Sequence, residues 1–368
     1  MESNVEPERH KPGCGGSHRR LYGLASKITP MKVLLITGSY PPDICGVADY
    51  TARLKESLER AGAEVTVYTG RRWGLRNSAD IVREISATSA DIFHIQYPTT
   101  GYGWKFGPQL ISLLRPLVVS LHECSQAHVL RQLSLYPFSL RSPRIIFTNE
   151  YEQGYAQRFA PWIKSRSTLI PIGSNIPIAM SQPKHSGKIL TYFGLIRPQK
   201  GIEQLLAVAR IFKKQRKGFG IRMIGTVMPG HEQYYKYLQN EAQDLPVQWI
   251  LGLAGDKLAR TLAETEVAYL PFEDGASERR SSLIAMLTNG AAVITTRGRH
   301  TPSAMIGAVL LTNSPDQAAV LAEELYDNPE RRAALQLKAA VYAKKFAWDN
   351  IATEHIAVYQ ELISANRK

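Results

Sequence analysis

Short apolar runs recur about every 25 residues along this chain, and segments with helical spacing separate them. Runs this uniformly apolar suit a sheet covered on both faces. Helices between strands make such strands parallel, joined by right-handed crossovers. Strands are expected at 33–37, 64–68, 91–96, 117–121, 144–148 and 167–170. The Pro-, Ser- and Gly-rich stretch 171–186 breaks the alternation, which restarts with strands at 189–193, 220–224, 247–251, 267–270, 292–295 and 308–311. The pattern predicts an α/β chain of two doubly wound, Rossmann-like domains facing a cleft. Their expected spans are 31–183 and 184–346, with a last helix in 347–368 packing back towards the N-terminal domain.

The 368 residues exceed one ordinary core and suit two domains. A hydrophobic content of 44% with 21% charged residues describes a globular protein. No run of about 18 apolar residues is present. Cys14, Cys45 and Cys124 are scattered, odd in number and without metal-ligand spacing, which fits a reducing compartment. The expected location is the cytoplasm, including the inner membrane face. Residues 1–30 lack the apolar core of a secretory signal and are expected to form a disordered tail outside the fold.

The formal net charge is +13. Residues 1–185 hold 22 Lys/Arg against 14 Asp/Glu and the remainder 23 against 18, so the surplus is spread over both halves. Without a dense basic stripe or a nucleic-acid-binding motif, this argues against nucleic acid and for anionic small ligands. Arg131, Arg141 and Arg144 amid Leu130, Leu133, Leu135, Tyr136 and Phe138 read equally as a peripheral membrane contact and as an ordinary helix and loop.

One turn invites an anion. The apolar run from Lys188 ends at Gly194, and Arg197 and Lys200 then stand at the mouth of a helix carrying Ile202, Leu205, Leu206 and Ile211 at helical spacing. Backbone N–H groups and the helix dipole both favour phosphate there. In the first loop, Gly46 lets backbone approach a ligand just before a helix. The dinucleotide fingerprint G-x-G-x-x-G is absent, which removes the main support for an NAD enzyme. His122 ends an apolar strand on the edge where ligands gather in parallel sheets. His94, Gln96 and Tyr97 end the neighbouring strand and are expected either to line the acceptor side or to cap the core.

Together these segments resemble a retaining, two-domain GT-B glycosyltransferase close to glycosyltransferase family 4. They are the Pro-Pro…Gly-Val loop at 41–47, Asp-Ile-Phe-His-Ile-Gln at 91–96, Val-Val-Ser-Leu-His-Glu at 118–123, Ile-Ile-Phe-Thr-Asn at 145–149 and Leu-Ile-Pro-Ile-Gly at 169–173. Phe193-Gly194 with Lys200-Gly201, Arg222 to Gly225, and Leu270-Pro-Phe with 289–295 complete the set, in consistent order over about residues 31–365. The resemblance implies a nucleotide-sugar donor held by the C-terminal domain and a saccharide or lipid-linked acceptor held by the N-terminal one, in cell-surface polysaccharide synthesis. It makes Lys200 the diphosphate lysine, with Arg197 standing in for an arginine that the family carries where this chain has Leu195. It brings His122 to the transferred sugar and gives Gly225, Arg279, Arg280 and the helix start Ser281, Ser282, Leu283 to the donor.

The family's glutamate pair would fall at Ala276 and Ile284 and is missing. Asp274, Ser277 and Glu278 are the candidate substitutes, with Asp274 preferred for catalysis. The absent pair also keeps two other readings open, a sugar-nucleotide epimerase and a degenerate binding or scaffold protein. No Asp-x-Asp pair follows a strand, so no metal and no further cofactor are expected.

Overall fold

A computed structural model describes residues 30–43, 45–70, 72–125, 132–133, 135–179 and 187–366. The expected tail at 1–30 lies outside these residues except for Pro30. β1 (Lys32–Ile36), β2 (Glu64–Tyr68), β3 (Ile92–Tyr97), β4 (Val118–Leu121), β5 (Ile145–Phe147) and β6 (Ser167–Leu169) form a parallel sheet in the order β2-β1-β3-β4-β5-β6. β7 (Ile189–Ile196), β8 (Gly220–Val227), β9 (Val247–Leu251), β10 (Val267–Leu270), β11 (Ala292–Thr295) and β12 (Leu310–Leu311) form a second, ordered β12-β11-β10-β7-β8-β9. All registers between neighbouring strands are parallel.

Helices cover the central strands on both faces, and every residue of β3, β4, β10 and β11 is buried. The helices bury the stripes that the sequence spacing implies. Helix Ile202–Gln215 buries Ile202, Leu205, Leu206, Val208, Ala209 and Phe212, then stops where Arg216 turns left-handed at φ 53°. Helix Glu150–Phe159 starts where the Asn149 side chain accepts the Glu152 N–H at 2.9 Å.

The segment expected to meet a membrane is largely interior. Leu135 and Phe138 join the N-terminal core, and Arg144 pairs with Glu361 at 2.6 Å. Leu130 and Arg131 lie outside the described residues, which leaves Leu133, Tyr136 and Arg141 exposed. Among the described residues no helix is long and apolar enough to cross a membrane.

The last helix, Trp348–Asn366, docks on the N-terminal sheet. Ile351, Ala352, Val358 and Tyr359 share a core with β1 and helix Gly46–Arg60, and Trp348 Nε1 donates to Ser174 O at 2.8 Å. Its polar contacts enter the sheet itself. Tyr359 Oη meets His94 Nδ1 at 2.6 Å, while His94 Nε2 accepts from Ser120 Oγ at 2.9 Å and Gln96 Nε2 at 3.2 Å. His355 donates from Nδ1 to Ile351 O at 2.8 Å, with its ring 5.7 Å from that of His94. Burial, and then neighbouring histidines, hold His94 well below the ordinary value of 6.5. Burial and then His355 push His122 down to about 3, and burial lowers His355 to about 4.

The unfolded chain therefore binds these protons first, so the stability tied to the three neutral rings is full above pH 6.5 and is lost as pH falls towards their folded values. Histidine-selective NMR should find all three imidazoles neutral down to about pH 5, while the thermal midpoint already falls below the ordinary histidine value. Titration of any of the three rings near 6.5 would contradict this.

Candidate active site

In an open parallel sheet, ligands collect outside the carboxyl ends of strands where the chain order reverses. In the C-terminal sheet that point lies between β7 and β10, so the loops after these two strands flank it. β7 runs to Ile196, beyond the end at Gly194 expected from the sequence. Gly194 continues the ladder opposite Gly225, where a Cβ on Gly225 would stand 1.9 Å from Gly194 O. The absent side chain of Gly225 is thus taken up by strand packing.

Beyond β7 the chain turns through two left-handed residues, Gln199 (φ 64°) and Gly201 (φ 69°). A Cβ on Gly201 would lie 1.7 Å from Pro271 O, directly after β10. Only glycine meets both demands, and the two loops are pressed together backbone to backbone. The contact gathers charge. Lys200 is half-buried, and its pKa is lowered by burial, then by Arg197 and Arg280. Burial and Arg197 likewise lower Arg280, whose carboxylate partner is Asp274. Neither Arg197 nor Lys200 has a carboxylate partner among the described residues. Three cations with one acid between them await an anion.

Helix Ser281–Thr288 opens beside them, and Ile284 is the first residue whose N–H closes back, to Arg280 O at 3.0 Å. The N–H groups of Ser281, Ser282 and Leu283 are those a helix leaves unused at its start. Arg279 points elsewhere, to Glu152 Oε1 of the N-terminal domain at 3.5 Å. It spans the domains rather than completing the cation group.

Ala276 and Ile284, at the glutamate positions, are buried in the C-terminal domain. Glu278 is no substitute: it is buried, accepts from Tyr342 Oη at 2.6 Å and pairs with Lys345. Asp274 stays 70% exposed and lines, with Ser277, a cavity of about 740 Å³ between the domains. Arg279, Arg280, Arg299 and His300 line its C-terminal side, and Ser125, Asn149, Glu150 and Tyr151 the other.

On the N-terminal side His122 follows β4, partly exposed, with its ring 4.7 Å from that of Tyr50. Its Nε2–H donates to Gln96 Oε1 at 3.0 Å, which leaves Nδ1 as the acceptor of a neutral imidazole. His94, Gln96 and Tyr97 are buried, and Tyr97 Oη accepts from Gln109 Nε2 at 2.8 Å. They do not face an acceptor; His94 and Gln96 fix the orientation of His122. Gly46 opens helix Gly46–Arg60, and a Cβ there would meet nothing within 4 Å, so space for a close ligand remains.

Glu152 is a link between the two walls that the sequence reading missed. Fully buried, it accepts from Cys124 N (2.7 Å), Ser125 N (2.8 Å) and Ser125 Oγ (2.6 Å), securing the loop after His122, and it meets Arg279 across the cleft. In sequence it is one of two acids in the first turn of a helix, and nothing marks its partners 27 residues earlier. Tyr359, which holds His94, had no local signal either.

No family model matches this sequence, and no curated protein matches it. Solved structures do. Anabaena HepE in complex with UDP-glucose aligns with TM-score 0.62 at 16% identity over 91% of this chain and 100% of its own. A Rickettsia africae glycosyltransferase aligns with TM-score 0.68 at 10% identity, over 91% and 99%. A putative UDP-N-acetylglucosamine 2-epimerase from Listeria monocytogenes aligns with TM-score 0.61 at 14% identity, over 91% and 97%. With its two doubly wound parallel sheets, the chain has the GT-B fold of glycosyltransferases.

Proposed function

We propose that this protein is a nucleotide-sugar-dependent glycosyltransferase acting with retention. The observation that carries the reading is the cation group Arg197, Lys200 and Arg280 beside an open helix start at the C-terminal switch point. Such a site suits a departing diphosphate, whose charge develops as the bond to the sugar breaks. HepE, crystallised with UDP and with UDP-glucose, adds a structural parallel for a uridine nucleotide as donor.

In this reading the diphosphate leaves the anomeric carbon and an acceptor hydroxyl bonds to the same face, passing its proton to the departing phosphate oxygen. Neutral His122 accepts a hydrogen bond from the sugar through Nδ1, and Asp274, exposed to the cleft beside Arg280, is the carboxylate that reaches it. No metal is required, because three side chains supply the positive charge. The acceptor is a saccharide or a lipid-linked sugar, and the resemblance to family 4 favours cell-surface polysaccharide synthesis at the inner face of the membrane. Contact between Glu152 and Arg279 over the sugar excludes water and limits donor hydrolysis.

Lys200→Ala should lower transfer at least about 100-fold while leaving the thermal midpoint nearly unchanged, and a chelator should not alter wild-type turnover. Full activity of Lys200→Ala would refute the site. Conversion of the donor without any acceptor would assign the protein to the epimerase reading that the Listeria neighbour represents, and failure to bind any nucleoside diphosphate would favour a scaffold.

A further inference from the structure

Helix Pro329–Ala343 is apolar on two sides. Its inward side buries Leu335, Ala339 and Ala343 in the C-terminal core, as a surface helix must. An outward side ordinarily carries charge, yet this one presents Ala333, Ala334, Leu337, Ala340 and Val341, with Leu337 68% and Val341 61% exposed. Spacings of three and four residues hold these five in one stripe along the helix. The ion pair between Glu324 and Arg331 draws the preceding helix, Pro315–Asp327, alongside, and that helix adds exposed Val320 one turn from Glu324. The residues lining the cavity between the domains all lie outside both helices, so the stripe is no part of the candidate active site. Protruding apolar groups in one continuous strip mark a docking surface.

The charges at its two ends identify what docks. Glu330 opens the stripe and Lys344 closes it; both are exposed, and neither enters an ion pair among the described residues. Read outward from Leu337, the stripe is its own complement. Glu330 stands seven residues before and Lys344 seven after, Ala333 and Val341 four to either side, and Ala334 and Ala340 three to either side. A twofold axis through Leu337 lays the helix antiparallel on a copy of itself, with Leu337 against Leu337, Val341 against Ala333, and Glu330 against Lys344. Across the same axis Lys338 falls level with Gln336 and Arg331 with Ala343, so no like charges are brought opposite. Alanines facing valine let the two helices approach closely, and antiparallel helices set opposite dipole ends together. A lipid surface or an unlike protein would need no charge order that reverses about one residue.

We propose that this stripe seats a second copy of the chain, forming an isologous dimer whose twofold axis passes through Leu337. Area sets its strength. One pair of 15-residue helices falls short of the roughly 1,200–2,000 Å² that stable interfaces bury. The dimer is therefore reversible, with a dissociation constant on the order of 10 μM. It depends on the helix face alone and holds whether or not the protein transfers a sugar.

The test is sedimentation velocity of the full chain from about 1 to about 200 μM, over which monomer should give way to dimer. Leu337→Glu should weaken the dimer at least about tenfold, because each substitution enters the interface twice, and should leave the thermal midpoint of the dilute protein unchanged. Glu330→Lys should weaken it about fivefold at low salt by setting like charges opposite, and adding Lys344→Glu should restore it to within about twofold of wild type. Rescue distinguishes pairing from helix stability: both substitutions oppose the helix dipole, so a merely structural effect would grow worse in the double variant. A wild type that stays monomeric throughout, a dimer indifferent to Leu337→Glu, or a double reversal without rescue overturns the proposal. So does a monomer that sediments with phosphatidylglycerol vesicles only while Leu337 is intact, which would assign the stripe to a lipid surface.

Discussion

The candidate site depends on one backbone contact. Gly201 lies so close to Pro271 O that no side chain fits between them, and this binds the loop after β7 to the loop after β10. The proximity holds Arg197, Lys200 and Arg280 together against their mutual repulsion, with Asp274 as the single acid in the group. Such crowding costs free energy in the empty protein, and an entering anion returns it.

The opposite wall follows a different logic, in which burial replaces charge. His122 is held by Gln96, Gln96 by His94, and His94 by a tyrosine on the last helix of the chain. Burial keeps the rings neutral, so His122 presents Nδ1 as a hydrogen-bond acceptor rather than as a cation. The two walls touch where Glu152 receives Arg279. Because Glu152 also carries the loop after His122, domain closure and histidine position share one carboxylate.

Much of the fold was legible in the sequence because period and composition agreed. Apolar runs such as Val267–Leu270 are buried on both sides, and helix Ile202–Gln215 buries the stripe its spacing implies. Errors came where tertiary contact outweighs local pattern. A glycine looked like the end of β7, yet Gly194 pairs with Gly225 across the sheet and the strand continues. For His94 and Gln96 the sequence left acceptor-side and core roles equally open; the last helix holds His94 in the core, and no local pattern announces a helix arriving from 265 residues away. Lys200, Arg197 and Arg280 stood out in the sequence as cations beside helix starts, and the structure brings the three together. Glu152 was not, since a buried acid and a solvated one look alike until their partners are known.

Calorimetric titration of the unmodified protein with UDP at low and high salt probes the charge-gathering site most directly. One site is expected, with affinity falling steeply as salt rises and with proton uptake by Lys200 growing as the solution is made alkaline, because bound diphosphate raises a pKa that the empty site lowers. Absence of heat, or an affinity indifferent to both salt and pH, would mean that the three cations do not meet a diphosphate.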